Sequence, residues 1–395
     1  MKQRVPFYYN EFGCITSECK DNCCIGGWEI DIDDETYERY NSMTGELKSR
    51  ILDSITQNED EEYCFKLCDG KCPMLDDNGL CEIHKNLGED YLGVVCKQFP
   101  RYSEYYGTIK ESGIGLACEE AARIILSENR PFSMETAACD EQYEPSSEYD
   151  SSFALQIFAA REAVFKILAE ESLSIHEKLI VILDMGSKIQ QCINTDEYDN
   201  IKSVVNDYLK EGIAHTLDET RNLSDSGQFE DISLQQGIRQ ILYPYEEMEV
   251  LNPEWEVILK DIIDSLFEQM SDEEYNILNE EFGTYMVSRA YEYRQLLEYL
   301  VFRYFAKSIY DYDFLGKCQM LVTNFFVIRQ MDIIRWLDNH REYSFKDRMN
   351  VVHIFSRQVE YSEDNIENLY EDFIFDDIFK TDSLIAILWI DSENI

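Results

Sequence analysis

Apolar residues recur every three or four positions through most of the chain beyond residue 152, which is the spacing of an amphipathic helix. The segment 153–170 follows this pattern. The segments 284–309 and 320–338 are long, aromatic-rich and strongly apolar, so we predict that they form central helices. Residues 217–232 interrupt the pattern and predict a loop. The second part of the chain is therefore expected to be an all-α domain spanning residues 153–395.

Helix starts are visible as serines that precede an apolar run and are followed three residues later by an acidic side chain. This arrangement is a capping box, in which the serine and the acid satisfy each other's free backbone N–H groups. It predicts helix starts at three pairs: Ser174 with Glu177, Ser271 with Glu274, and Ser344 with Asp347.

The first part of the chain has only short periodic segments. Residues 28–33 alternate apolar and acidic side chains, which predicts a short half-buried strand, and Asp33 or Asp34 is placed to cap a helix after it. The polar, Pro- and Ser-containing segment 140–152 predicts a linker. We therefore expect a mainly α protein, with a small irregular cysteine-rich domain over residues 1–139 ahead of the helical domain.

Composition narrows the range of partners. The 395 residues include 79 acidic and 35 basic side chains, giving a net charge of −44, and 45% of the residues are hydrophobic. Such acidity argues against nucleic-acid binding and against a basic membrane-surface role. It would steer a lysine-bearing protein partner towards the chain, and the simpler alternative is that it mainly keeps the protein in solution. The first residues contain no apolar signal-peptide core, and no apolar run approaches the roughly 18 residues of a membrane span. We expect a cytoplasmic protein.

Eleven of the thirteen cysteines lie within the first 139 residues. In a cytoplasmic protein such thiols are normally reduced, so metal binding is favoured over disulfides, and the metal is either structural zinc or an iron–sulfur cluster. Cys64, Cys68 and Cys72 would line one face if this segment were helical. Cys118 precedes a predicted helix over residues 119–126, where a thiolate is favoured, whereas Cys192 and Cys318 are expected to be small core residues. No nucleotide-binding fingerprint or nucleophile motif is present. His84 follows Cys81 by three residues and is either a further ligand or, as we expect, a partly exposed histidine that binds no metal.

Several ordered motifs resemble the flagellin lysine-N-methylase family and, more broadly, cysteine-cluster proteins that chelate zinc or iron. The first motif runs from Tyr9-Asn-Glu-Phe-Gly-Cys14 through Cys19, Cys23-Cys24 and Gly27-Trp28 to Ile30-x-Ile32-Asp33. The next motifs are Cys72-Pro73-Met74-Leu75, Gly79-Leu80-Cys81-x-Ile83, and Leu87-Gly88-Glu89-x2-Leu92-x3-Cys96-x2-Phe99-Pro100-Arg101. The last, Leu116-Ala-Cys118-Glu-Glu-Ala-Ala-Arg123, has Glu119 where the family has proline.

The resemblance implies an enzyme that methylates lysine side chains of flagellin, with S-adenosylmethionine as methyl donor and a four-iron–four-sulfur cluster. It implies that the cluster ligands come from one pool: Cys14, Cys19, Cys23, Cys24, Cys72, Cys81, Cys96 and Cys118. We expect the cofactor site between the two domains, near Trp28 and Arg101, with Arg101 either pairing with the donor's carboxylate or making a local structural contact. The sequence does not single out a catalytic base. The alternative is a non-catalytic protein that binds or delivers zinc or iron.

Overall fold

The structure is a computed structural model that describes residues 1–20, 22–25, 30–58, 61–139, 150–225 and 232–393. It is mainly α-helical, with short strands and turns confined to the N-terminal part, which confirms the predicted fold class. Most of the predicted linker, residues 140–149, lies outside the described residues, and its last two residues begin a helix. None of the helices in the described ranges has both the length and the apolar character that crossing a bilayer requires.

The N-terminal part consists of short elements joined by turns. Its strands are β1 (Lys2–Pro6), β2 (Ile55–Gln57), β3 (Tyr63–Phe65), β4 (Arg101–Tyr106), β5 (Ile109–Ile114) and β6 (Met134–Ala138). Its helices are α1 (Asp34–Ser42), α2 (Glu46–Asp53), α3 (Glu82–Leu87), α4 (Val94–Gln98) and α5 (Glu119–Leu126).

Four of these strands form one sheet in the order β4-β5-β1-β6, which brings the first residues of the chain beside residues 109–138. Strand β1 runs parallel to β5 and antiparallel to β6, and β4 and β5 form an antiparallel hairpin. Strands β2 and β3 pair separately. Strand β1 is therefore an inner strand of the sheet, and it holds β5 and β6 on its two sides.

The remainder of the described chain is helical. Its helices are α6 (Ser151–Ala169), α7 (Ile175–Asn194), α8 (Ile201–Asp207), α9 (Ile213–Asp225), α10 (Leu234–Glu246), α11 (Pro253–Ile262), α12 (Asp272–Met286), α13 (Ala290–Tyr304), α14 (Ser308–Asp311), α15 (Phe314–Asp338), α16 (Phe345–Val359), α17 (Glu363–Phe375) and α18 (Thr381–Glu393). Helix α15 is buried along nearly its whole length and contacts α7, α13 and α16, so it is the central helix of this part.

The predicted helix starts are confirmed. Ser174, Ser271 and Ser344 each form a complete capping box at the starts of α7, α12 and α16. Asp33 caps α1 by accepting a hydrogen bond from the Thr36 N–H at 2.9 Å, and Cys118 is the residue that precedes α5. These signals depend on neighbours within three or four residues, and they hold irrespective of the tertiary fold.

Two predictions about the helical part are wrong. Residues 217–225 belong to helix α9 instead of a loop, because α9 packs against the core and the Trp389 indole N–H donates to the Thr220 hydroxyl at 3.2 Å. Residues 226–231 lie outside the residues that the structure describes. The segment 284–309 is divided by 3-10 turns at Val287–Arg289 and Phe305–Lys307, and Arg289 at the first turn pairs with Glu292 at 2.7 Å and donates to the Tyr343 carbonyl at 2.5 Å.

Two predictions about the N-terminal part also need correction. Of the strand predicted over residues 28–33, residues 28 and 29 lie outside the described residues. The rest forms an isolated bridge between Asp31 and Cys64, and the Ile32 N–H donates to the Tyr63 carbonyl at 2.7 Å. Cys64, Cys68 and Cys72 do not share a helical face. Cys64 lies in β3, and Cys68 closes a tight turn on Lys71, because hydrogen bonding to strands and turns replaces the helical spacing.

The described residues contain two hydrophobic cores. The larger one includes the helices, strand β5, helix α5 and the segment after β1, with Tyr8, Phe12, Tyr106 and Ile114 among its members. The smaller core lies between residues 30 and 83 and contains Cys72 and Met74. The sheet and α5 therefore pack into the helical part, and the domain boundary near residue 140 stays a prediction.

Candidate functional site

The Cys24 thiol contacts the thiols of two other cysteines, its neighbour Cys23 and the distant Cys72. Cys23 and Cys24 lie in the 3-10 turn Cys23–Ile25, and the Cys72 N–H donates to the Cys24 carbonyl at 2.8 Å. The Cys24 thiol hydrogen-bonds with both Cys23 and Cys72, and these contacts raise its pKa far above the usual range. Hydrogen bonds thus connect the adjacent Cys23 and Cys24 with Cys72, which lies almost fifty residues further along the chain.

Three further cysteines surround this group. The Cys81 and Cys96 thiols interact electrostatically with Cys72 and Cys23, and Cys118 interacts with Cys23 and Cys14. Burial raises the pKa of Cys118 to about 11, while the N–H groups of residues 120 and 121 at the start of α5 act in the opposite direction. N–H groups at a helix start stabilise a thiolate, which is the form that binds metal.

The remaining two members of the predicted ligand pool lie at the edge of this region. The Cys14 sulfur accepts a hydrogen bond from the Thr16 N–H at 3.4 Å, and the Cys19 thiol donates to Glu119 at 3.7 Å. Glu119 also accepts the Lys20 N–H at 3.0 Å, so its carboxylate ties this segment to α5.

The side chains fit a thiolate-bound metal in their chemistry, since sulfur donors from separate segments are gathered next to backbone N–H groups. Within the residues that the structure describes, however, no three histidine, cysteine or acidic side chains are arranged to hold a metal ion. Metal binding therefore stays a prediction. Cys192 and Cys318 are buried in α7 and α15, far along the chain from this region.

Of the two residues predicted to contact the methyl donor, only Arg101 lies within the described residues. Trp28 and the neighbouring Gly27 lie outside the described residues. Arg101, at the start of β4, donates to the Phe12 carbonyl at 3.2 Å, and its guanidinium lies 4.8 Å from the centre of the Phe12 ring. These contacts match the local structural alternative, and the cofactor role of Arg101 stays a prediction.

A buried polar cluster that the sequence did not reveal lies where β4, α13 and the end of α16 meet. We call it the Glu360 cluster, and it consists of Tyr102, Tyr299, Arg303, Tyr304 and Glu360. The Glu360 Oε2 atom accepts hydrogen bonds from the Tyr299 hydroxyl at 2.9 Å and the Tyr304 hydroxyl at 3.0 Å, and it pairs with the Arg303 Nε at 3.0 Å. The Arg303 guanidinium lies 4.6 Å from the centre of the Tyr102 ring.

Two polar atoms of the cluster have no hydrogen-bond partner among the described residues. They are the second carboxylate oxygen of Glu360 and the hydroxyl of Tyr102, and both are buried. Burial raises the pKa of Tyr102, Tyr299 and Tyr304 well above the usual tyrosine value, so these phenols are protonated at neutral pH. The cluster therefore combines neutral phenols with one carboxylate–guanidinium pair.

The Glu360 cluster adjoins the cysteine region. The Leu116 N–H, two residues before Cys118, donates to the Tyr299 hydroxyl at 3.3 Å. A Cβ atom on Gly115 would lie 2.8 Å from the Tyr361 hydroxyl and 3.1 Å from the Arg303 guanidinium, so this position is filled by neighbouring side chains. From α16, Arg357 interacts with Cys23, where it adds to the hydrogen bond from Cys24 that lowers the Cys23 pKa.

The Glu360 cluster is not visible in the sequence because its members come from distant segments of the chain. A partial signal exists in the spacing Tyr299-x3-Arg303-Tyr304, which puts a phenol and a guanidinium on one face of a helix. In a segment rich in aromatic residues, that spacing is indistinguishable from ordinary core packing.

Comparison with known proteins places the helical part in a family. The profile described as the FliB lysine N-methylase C-terminal domain matches residues 161–387, which is more than half of the chain and includes Arg303 and Glu360. No solved structure matches the chain significantly.

Three curated relatives are each 33% identical to the chain over 129 residues, or 31% of the chain. One is the flagellar biosynthetic protein FliU of Salmonella muenchen, of which the match covers 76%. The others are lysine-N-methylases of Salmonella typhimurium and Salmonella choleraesuis, of which it covers 32% each. The expected family is confirmed: the chain belongs to the FliB lysine N-methylase family.

Proposed function

We propose that this protein is a lysine N-methyltransferase that acts on flagellin in the cytoplasm. Family membership supports the reaction, and the flagellar name of one relative supports the substrate. The observation that carries the proposal is the junction at which a buried tyrosine–carboxylate cluster adjoins the cysteine region. Such a junction between chain segments is a common place for a ligand site.

The proposed methyl donor is S-adenosylmethionine, which supplies a methyl group attached to a positively charged sulfur. Trp28 and Arg101 remain the proposed contacts for it. The lysine nitrogen must attack with its lone pair, so it must first lose the proton that it carries at neutral pH, where its reference pKa is about 10.4. The N–C bond then forms, the C–S bond breaks with its electron pair remaining on sulfur, and the proton released from nitrogen passes to solvent.

The proposed four-iron–four-sulfur cluster would draw its ligands from the pool Cys14, Cys19, Cys23, Cys24, Cys72, Cys81, Cys96 and Cys118. The contacts among Cys23, Cys24 and Cys72, with Cys81 and Cys96 nearby, favour ligands from this group. When bound, such a cluster supplies either redox chemistry or a rigid scaffold for the N-terminal part. The residues of the chain would hold it and shield it from water.

The charge of the molecule suits this substrate. A net charge of −44 attracts lysine-bearing surfaces over long distances and raises the rate of encounter at low salt. The attraction is not specific, so selection of a particular lysine has to come from local contacts near the site.

The test is to purify the chain without oxygen, measure iron and sulfide, and incubate it with flagellin and S-adenosylmethionine. Mass spectrometry should find a gain of one or more methyl groups on flagellin lysines, and the purified protein should be brown. Colourless protein that contains stoichiometric zinc and leaves flagellin unmodified would instead support the non-catalytic metal-binding alternative.

A further inference from the structure

We propose that the Glu360 cluster is the binding site for the substrate's lysine amine, with the free Glu360 carboxylate oxygen and the Tyr102 hydroxyl as its two acceptors. This inference rests on the proposed function and assigns the residues that receive the substrate. It would make Tyr102 and Glu360 substrate-contacting residues.

Glu360 carries a buried carboxylate whose hydrogen bonding is incomplete. The Glu360 side chain has no exposed surface, and one of its oxygens already accepts from Tyr299, Tyr304 and Arg303. Its other oxygen has no partner among the described residues. A buried acceptor without a hydrogen bond is costly, so a ligand that donates N–H or O–H groups would be bound favourably there.

The Tyr102 hydroxyl is also buried and has no hydrogen-bond partner in the described part of the chain. Both Tyr102 and Glu360 contact the same guanidinium, that of Arg303, so the two free oxygens belong to one cluster. Tyr102 comes from the sheet and Glu360 from the end of α16, and a ligand held by both would link the two parts of the molecule.

The chemistry of these atoms selects an amine. A carboxylate oxygen can only accept hydrogen bonds, which excludes ligands that offer acceptors alone. A neutral primary amine has two N–H donors and one lone pair. If both donors are bound by Glu360 and Tyr102, the lone pair stays available for the methyl group.

The charge of Arg303 affects the protonation state of the bound lysine amine. The Glu360 carboxylate by itself would favour the ammonium ion, and the guanidinium paired with it offsets that effect. The neutral amine, which is the form that attacks a methyl group, is therefore less disfavoured than it would be beside a lone carboxylate. Arg303 is largely buried, with 13% of its side chain exposed, so solvent screens this effect only weakly. The Arg303 guanidinium itself lies over the Tyr102 and Tyr304 rings. The free Glu360 oxygen and the Tyr102 hydroxyl therefore remain as the atoms that contact a ligand.

The cluster lies close to the protein surface. The rings of Phe99 and Tyr361 have centroids 6.0 Å apart, and both residues are only partly buried. Tyr361 directly follows Glu360 and contacts the Gly115 position. A lysine side chain that enters between these residues would reach the cluster from the side that faces the cysteine region.

The structure supplies a clean variant for the test. The Tyr102 hydroxyl makes no hydrogen bond within the described residues, so Tyr102→Phe removes a group that only the substrate would use. Tyr245→Phe is the matched control: Tyr245 is fully buried, and its hydroxyl bonds Thr323 at 3.1 Å and Asn324 at 2.8 Å. Tyr245→Phe should lower the melting temperature and leave lysine binding unchanged. Tyr102→Phe should weaken lysine binding and leave the melting temperature at or above that of the parent.

The experiment measures binding of two peptides to the full chain in the absence of methyl donor. One peptide is a flagellin segment with a single lysine, and the other carries norleucine at that position, which has the same carbon chain without the amine. We expect the parent protein to prefer the lysine peptide at least tenfold, and Tyr102→Phe and Glu360→Gln to abolish that preference. Equal preference in the parent and in correctly folded Tyr102→Phe would overturn the inference.

Kinetics with flagellin separate this inference from the proposed function. If the parent protein methylates lysine and Tyr102→Phe leaves KM and kcat unchanged, the amine site is wrong while the function stands. If the parent does not methylate but still discriminates the two peptides through Tyr102, the amine site stands and the proposed reaction is wrong. A tenfold higher KM in Tyr102→Phe with unchanged metal content supports both.

Discussion

Glu298, in helix α13, is a buried acid whose ionisation opposes folding. Burial raises its pKa from 4.5 to about 7, although Arg294 lies 3.8 Å away and the Phe132 N–H donates to the carboxylate at 3.4 Å. Because the pKa is higher in the folded state, the contribution of this group to stability is fully present below pH 4.5 and is lost as the pH rises through 7. The loss amounts to up to about 3 kcal/mol, at 1.36 kcal/mol for each pKa unit.

Glu298→Gln keeps the shape of the side chain and removes its charge. Chemical denaturation at pH 5 and pH 8 measures the free energy of unfolding of this variant. At pH 8 it should be higher than that of the parent, and at pH 5 the two should differ little. Glu280→Gln, at an exposed position on α12, is the control and should follow the parent at both pH values. An identical pH dependence for the parent and Glu298→Gln would contradict the prediction.

The cysteine contacts make a second prediction at the scale of single residues. Cys24 hydrogen-bonds with Cys23 and Cys72, so Cys23→Ser or Cys24→Ser should lose metal and destabilise the N-terminal part. Iron and sulfide content and the melting temperature measure this. Cys192→Ser, in the buried face of α7, should keep the parent's metal content. Equal metal content in all three variants would show that neither adjacent cysteine is a ligand.

At the scale of elements, helix α16 is joined to α13 and α15 by a buried ionic network. Arg348 pairs with Asp332 at 2.5 Å and with Glu292 at 3.1 Å, and Arg348 is completely buried. The same helix ends beside Glu360, and Arg357 on it interacts with Cys23. The network therefore fixes the helix that carries the candidate site.

Replacing Arg348 should destabilise the protein strongly. Arg348→Ala leaves two buried carboxylates without this partner, and breaking a buried ion pair in this way costs about 3–5 kcal/mol. The control is Lys380→Ala, which removes an exposed pair with Asp377 and should cost less than about 1 kcal/mol. Denaturant unfolding measures both, and a similar small cost for the two variants would mean that the buried network is not needed for stability.

Elements with local signals could be predicted from the sequence, and elements set by tertiary contacts could not. The capping boxes at Ser174, Ser271 and Ser344 were correct because each depends on a single helical turn. The break at Val287–Arg289 was missed because the partner of Arg289 there is the Tyr343 carbonyl, more than fifty residues away. A hydrophobic pattern is continuous across such a break, so periodicity alone predicts one helix.

The same distinction applies to the candidate site. The cysteines were identifiable because their side chains are chemically distinctive and closely spaced, although the spacing did not reveal that Cys24 contacts Cys72. Tyr102 and Glu360 belong to no local motif, and both resemble ordinary residues of their type. Their shared contact with Arg303 arises only when β4 packs against α13 and the end of α16.

For the whole molecule, the decisive feature is that the sheet and α5 share their core with the helices. Tyr8, Tyr106, Ile114 and Leu116 are buried in the larger core, which also includes residues of α6, α7 and α13. Arg161 on α6 pairs with Glu111 on β5 at 2.6 Å, and both side chains are buried. Separating the two parts would expose this apolar surface and leave both charges without a partner.

We therefore expect residues 1–139, expressed alone, to fail to fold cooperatively and to lack methylation activity. Coexpression with residues 140–395 should restore a soluble complex, because the missing core surface is then supplied in trans. The control is the full chain with a protease site inserted between residues 140 and 149 and cleaved after folding, whose two pieces should stay together in size-exclusion chromatography. Cooperative unfolding or lysine methylation by residues 1–139 alone would refute both the shared core as a requirement for folding and the placement of the site between the two parts.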